Sequence, residues 1–155
     1  MARVLVTGMS GTGKSTVLRV LAAKGYATVD TDTDEWCEWV TDDRGHRDWV
    51  WRPQAINKLL DEHEDLFVAG CKSNQGEFYP RFDKVVLLRA RAEVMLQRIE
   101  ERGDNPYGKS AEERALVLEH LQVVEPLLRA SADHEIDTSG PLDDVVDRLE
   151  QLAGY

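Results

Sequence analysis

The sequence predicts an α/β fold on a five-stranded, mainly parallel sheet, and three observations lead there. Short, apolar, β-rich runs alternate along the chain with stretches whose apolar residues recur at helical spacing. The first of these runs ends in a glycine-rich loop that opens directly onto a helical pattern. The chain has 155 residues, 42% of them hydrophobic and 31% charged, which suits one core rather than two.

Arg3–Thr7 is apolar and bounded by glycine, the pattern of a buried strand. Residues 15–24 place Val17, Leu18, Leu21 and Ala22 on one helical face, and Gly25 supplies the stop. Residues 26–29 read as a second strand running into Asp30-Thr31-Asp32-Thr33-Asp34. The pattern predicts a short helix over 35–40, a polar loop over 41–48, and a helix over 52–63 with Ile56, Leu59 and Leu60 on one face. A third strand is expected at 66–70, a loop at 71–76, and the clearest buried strand at 84–88. Then come a helix over 92–102, a loop over 104–110, a long helical pattern over 111–130 that Pro126 bends or ends, a strand at 134–136 and an amphipathic helix at Leu142–Leu152. Helices on both faces of the sheet give three layers.

The formal charge of −10 argues against a nucleic-acid binder, because backbone phosphates are met by clustered Lys and Arg. Binding a small phosphate compound depends on the local field instead. No apolar run is long enough to span a bilayer. The N-terminus lacks the pattern of a secretory signal, and Cys37 and Cys71 form no CxxC pair. The expectation is a cytoplasmic protein, monomer or dimer, without nucleic-acid or membrane partners.

Gly8-Met9-Ser10-Gly11-Thr12-Gly13-Lys14-Ser15 matches the phosphate-loop pattern GxxxxGK[ST], and it lies between a predicted strand and a predicted helix. Glycines let backbone N–H groups converge on phosphate oxygens, and the following helix turns its positive end to the same anion. Lys14 is expected to reach the β and γ phosphates, Ser15 to ligate Mg²⁺, and Thr16 to extend the polar helix start. The implied ligands are ATP and Mg²⁺.

Ligands of open parallel sheets bind outside the carboxyl ends of the strands, which is where Asp30 and Asp32 fall. One carboxylate there suits the Mg²⁺ shell, the other an attacking hydroxyl. The same Asp-Thr alternation also suits a solvated Asx turn. Asp34 is placed to cap the helix expected at 35–40. Trp36, Trp39, Trp49 and Trp51 crowd one region. Trp36 and Trp39 fit either an aromatic wall for an acceptor or a core-facing helix side, and Trp49 and Trp51 fit a pocket or a lid. Lys72, Asn74 and Gln75 follow a strand end, as acceptor contacts or as partners of a turn.

With these motifs in hand, the chain resembles the small P-loop kinases of the shikimate kinase, gluconate kinase and adenylate kinase-like group. The resemblance runs through the Gly8–Ser15 loop, Asp30-Thr31-Asp32, Trp51-Arg52, the strand at 85–88, Arg98, Asn105-Pro106-Tyr107-Gly108-Lys109, Glu125-Pro126-Leu127 and Ile136-Asp137-Thr138. It implies one P-loop domain over 1–155 with sheet order 2-3-1-4-5 and a small lid over about 98–112. It also implies Asp30 on the metal side, Asp32 on the substrate hydroxyl, Arg52 on the acceptor, Arg98 stacked on adenine, and Ser139-Gly140-Pro141 closing the other side of adenine. The chain departs from the shikimate kinase pattern at Asn105, where the lid has an arginine, and at Val124, where a carboxylate-binding arginine stands. The first departure leaves Arg102 and Lys109 as candidate lid cations, and the second removes shikimate as a substrate. No Walker B aspartate follows the strands at 66–70 or 84–88, so Asp30 stands in for it. The functional expectation is transfer of the γ-phosphate of ATP to a hydroxyl of a small metabolite, sugar-like, cyclitol or nucleoside. The alternatives are a nucleotide kinase and a regulatory nucleotide-binding ATPase.

Overall fold

The computed structural model describes residues 2–9, 11–101 and 110–155. β1 (Arg3–Thr7) is the central strand, flanked in parallel by β5 (Leu66–Ala69) and β6 (Lys84–Arg89). β2 (Thr28–Asp30) pairs with β5, and β7 (His134–Asp137) with β6, both again parallel. The order is therefore β2-β5-β1-β6-β7. It departs from the expected 2-3-1-4-5 in numbering alone, because two strands that the sequence pattern did not predict, β3 (Cys37–Thr41) and β4 (Arg47–Trp51), intervene along the chain and pair with each other outside this sheet.

The strands alternate burial between two apolar faces. Val4, Val6, Phe67, Ala69, Val86 and Leu88 pack against α1 (Lys14–Ala23) and α6 (Leu142–Leu152). Leu5, Val68 and Val85 face α2 (Pro53–Glu62) and a 3₁₀ helix at Gln75–Arg81. Leu87, near the β6 end, packs with Met9, α3 (Ala92–Glu101), α4 (Ala111–Val123) and α5 (Glu125–Ser131). Strands covered on both sides read as continuous apolar runs, which is why β1, β5 and β6 are legible in the sequence. Among the described residues no helix is long and apolar enough to cross a membrane.

Several expectations are corrected. Residues 35–40 do not form a helix: Cys37–Thr41 pairs antiparallel with Arg47–Trp51, with Trp39 opposite Trp49 and Cys37 opposite Trp51. The Trp36/Trp39 spacing mimics a helical face, but aromatic and β-branched residues around the polar turn Asp42-Asp43-Arg44-Gly45 favour a hairpin. Asp42 Oδ1 accepts from the N–H groups of Arg44 and His46 at 2.9 and 2.8 Å, and Gly45 takes φ 80°. Asp34 accordingly caps no helix; its carbonyl accepts from Arg52 Nε at 3.0 Å. Trp39 stands 59% exposed rather than packed on the core, whereas Trp51 is wholly buried rather than lining a pocket. Finally, the pattern at 111–130 is two helices, with Pro126 in the first turn of the second, where its missing N–H costs nothing.

Candidate functional site

The carboxyl ends of β1, β2 and β5 open onto one large cleft of about 1340 Å³. Its floor is the loop between β1 and α1. Gly8 has φ 151° and Gly11 φ 84°. A Cβ on Gly8 would lie 2.4 Å from the Leu88 carbonyl oxygen, and one on Gly11 would lie 2.7 Å from the Met95 carbonyl oxygen. Neither position admits a side chain, so the loop is pressed between β6 and α3. Gly13, left-handed at φ 96°, starts α1, and Val17 N–H returns to its carbonyl at 3.0 Å.

Lys14 Nζ donates to the carbonyls of Gly8 at 2.6 Å and Met9 at 3.0 Å. Burial in the loop holds its ammonium below the usual lysine range, with Cys71, Asp32 and Asp30 pulling the other way. Ser15 Oγ donates to Asp30 Oδ2 at 2.7 Å. Asp30 Oδ1 in turn accepts from Asp32 N–H at 3.2 Å, an Asx turn that aims the two carboxylates in different directions. Gly8, Gly11, Thr12, Gly13, Lys14, Ser15 and Thr16 line the cleft together with Asp30, Asp32 and Arg98. Ser10, Arg102 and Lys109 lie outside the described residues, as does most of the segment expected to form the lid.

Arg98 Nη1 donates to Gly11 O at 3.2 Å and to Thr138 Oγ1 at 2.9 Å, and Nη2 donates to Thr138 O. Thr138 Oγ1 donates in turn to Thr12 O at 2.7 Å, so α3, the phosphate loop and the β7 end are laced together. Pro141 does not line the cleft, although its neighbours Gly140 and Leu142 do.

The acceptor residues expected from sequence are not brought together. Arg52 lies outside the cleft lining, and its Nε donates to the carbonyls of Asp34 and Cys37, both at 3.0 Å. Asn74 also lies outside it. Its Oδ1 accepts from Trp51 N–H at 3.1 Å and its Nδ2 donates to Trp51 O at 3.0 Å, so the amide closes the root of the hairpin as one more rung. Trp49 stands behind the lining, with Lys72 Nζ 4.3 Å from its ring centre.

The residues that do occupy this side are Lys72, Ser73, Asp48, Gln75 and Tyr79. Lys72 Nζ pairs with Asp32 Oδ1 at 2.8 Å, and Ser73 Oγ donates to Asp48 Oδ2. Gln75 is buried and donates to Thr7 Oγ1 and Tyr79 OH, both at 3.0 Å. The sequence signal for Lys72 is its place just past the β5 carboxyl end. Asp48 carried no such signal, because the hairpin that delivers it was read as a loop.

Fold and cleft together define a P-loop nucleotide-binding protein. The chain matches the AAA domain family over residues 4–119 and belongs to it. A protein of Halobacterium salinarum named as a candidate adenylate kinase is 30% identical over 152 residues, covering 93% of this chain and 85% of its own. A nucleotide-binding protein of Cupriavidus taiwanensis is 30% identical over 154 residues, covering 90% of this chain, which spans 50% of that relative's length. Among solved structures, shikimate kinase from Acinetobacter baumannii superposes with a TM-score of 0.70 at 22% identity, over 98% of this chain and 92% of that one. A gluconokinase from Sinorhizobium meliloti reaches 0.61 at 22% identity, over 97% and 93%. These two share the fold. The chain is a P-loop kinase-like protein.

Proposed function

We propose that the chain is an ATP-dependent phosphotransferase that moves the γ-phosphate of ATP to a hydroxyl of a small metabolite. The observation that carries this reading is that Lys14, Ser15, Asp30 and Asp32 share one cleft, with Asp32 turned from the Ser15–Asp30 pair toward the opposite wall. The loop fits a triphosphate: Lys14 rests on two loop carbonyls that phosphate oxygens would replace, and the left-handed Gly11 and Gly13 give the backbone the turns by which N–H groups can converge on an anion. The Ser15–Asp30 pair fits Mg²⁺, since both are hard oxygen donors already side by side. That ion supplies charge neutralisation on the β and γ phosphates. Arg98, fixed on Gly11 and Thr138 beside the loop, is the residue that would stack on the base.

In this reading Asp32 orients the acceptor hydroxyl and takes its proton as the oxygen bonds to the γ-phosphorus. The bond from that phosphorus to the β,γ-bridging oxygen breaks, and ADP leaves. The rest of the work is positioning and charge neutralisation by the loop and Lys14. ADP release measured over a panel of hydroxyl metabolites is expected to rise with one acceptor class. Lys14→Ala is expected to abolish it, and Asp32→Asn to abolish transfer while ATP still binds. If ATP binds and no acceptor stimulates ADP release, the reading fails. If Asp32→Asn loses ATP binding equally, Asp32 belongs to the metal site.

A second reading, a nucleoside monophosphate kinase, is favoured by the 30% identity to the candidate adenylate kinase. Stimulation by AMP above all hydroxyl acceptors in the same assay decides for it.

A further inference from the structure

The charges on the acceptor side of the cleft do not suit an anion. Beyond Asp30, that side presents Asp32 and Asp48, and its one cation among the described residues is Lys72. Lys72 is already engaged: its side chain is 12% exposed, its Nζ lies 2.8 Å from Asp32 Oδ1, and it sits over the Trp49 ring at 4.3 Å. The other lining Lys and Arg side chains among the described residues stand elsewhere. Lys14 rests on the loop carbonyls and Arg98 on Gly11 and Thr138, while Arg19, one helical turn beyond Ser15 on α1, stands with Thr28 and Asp30 at the β2 edge, away from Lys72 and Asp48. An acceptor carboxylate or phosphate would have to draw Lys72 off Asp32 and sit beside the carboxylate it uncovered, an arrangement of like charges.

A neutral diol meets the same groups without that conflict. Each hydroxyl is both donor and acceptor. One can donate to Asp32 while its neighbour accepts from Lys72, so the ion pair stays intact and serves as one acceptor and one donor side by side. Ser73 and Asp48 repeat the combination next to it.

We propose that the acceptor is an uncharged polyol whose vicinal diol is read jointly by Asp32 and Lys72, with Lys72 as the residue that sets specificity. The inference rests on the kinase reading and narrows it. The test is kcat/KM for ADP release on matched sets: uncharged cyclitols, aldoses and nucleosides, their carboxylated analogues, and their monophosphates. The expected result is an uncharged acceptor preferred over its anionic counterparts by about tenfold or more, as one charged hydrogen bond implies. Lys72→Met is expected to raise that acceptor's KM by on the order of tenfold while leaving the KM for ATP unchanged. Preference for a carboxylate or monophosphate overturns the inference and leaves the kinase reading standing, and so does an unaltered acceptor KM in Lys72→Met. If no compound in any set stimulates ADP release, the kinase reading falls and this inference with it. The wild-type panel decides the acceptor's charge whether or not the variant folds.

Discussion

Thr31 sits between the two carboxylates of the acidic segment and is wholly buried. Its hydroxyl donates to Ala69 O at 2.7 Å and accepts from Trp51 Nε1 at 2.8 Å. Its carbonyl accepts from Cys37 Sγ at 3.0 Å. A Cβ on Gly70 would lie 2.6 Å from that hydroxyl and 2.9 Å from Trp51 Cζ2, so a bare residue after β5 is a condition of the arrangement. Anchored this way, Thr31 fixes where Asp30 and Asp32 leave the sheet. Thr31→Val keeps the shape but strands the indole N–H in the core, and is expected to cost about 1–3 kcal/mol in urea unfolding. Thr31→Ser keeps the hydroxyl and is expected to cost about 0.8 kcal/mol, the worth of one buried methyl. Equal losses in the two variants would show that the hydroxyl is not the anchor. Asp30 and Asp32 were legible from their place after a strand. Thr31 was not, because its partners stand 20 and 38 residues away and no local pattern reports them.

At the scale of elements, the hairpin β3–β4 decides what reaches the cleft. It delivers Asp48 to the lining and sets Trp49 behind Lys72. Sequence periodicity missed it because Trp36 and Trp39 are three apart, a spacing that a helix and an exposed strand tip can both produce. Arg52, which the resemblance put on the acceptor, and Asn74, which follows the β5 end, brace this hairpin. Asn74→Ala leaves the N–H and C=O of Trp51 without the amide. The expected outcome is a loss of about 1–3 kcal/mol of stability and faster hydrogen exchange along β4, with ATP affinity unchanged. Unaltered exchange along β4 with weakened acceptor binding would restore Asn74 to the acceptor site.

For the molecule as a whole, the central sheet and phosphate loop were legible because strands buried on both faces write uninterrupted apolar runs, and the loop motif sits between two of its predicted elements. The α4–α5 junction was only half legible: Pro126 marked a break, but nothing local marked the buried carboxylate beside it. Glu125 is 7% exposed, and its Oε2 has no hydrogen-bond partner among the described residues. Burial pushes its carboxyl above the ordinary value of 4.5, while Arg129, bound to its other oxygen at 2.8 Å, opposes the shift. The folded state therefore favours the protonated form. The stability this gives is fully present below pH 4.5 and is lost as pH rises through the higher folded value. Glu125→Gln should match the wild type in acid and unfold at a higher temperature than it at neutral pH. A variant less stable at neutral pH would show that the pair with Arg129 outweighs the burial.

The hairpin shares no ladder with the central sheet. It is held by side chains, among them the Trp51 indole, the Cys37 thiol, the Asn74 amide, Arg52 and Ser73, while the phosphate loop is locked between β6 and α3 with no clearance for a methyl group. The two halves of the cleft thus differ in how freely they can be rewritten. A graft that exchanges residues 39–49 for a hairpin tip of different length, keeping Cys37 and Trp51 on Thr31, leaves the nucleotide half untouched, so this chain is built like a socket with an interchangeable jaw.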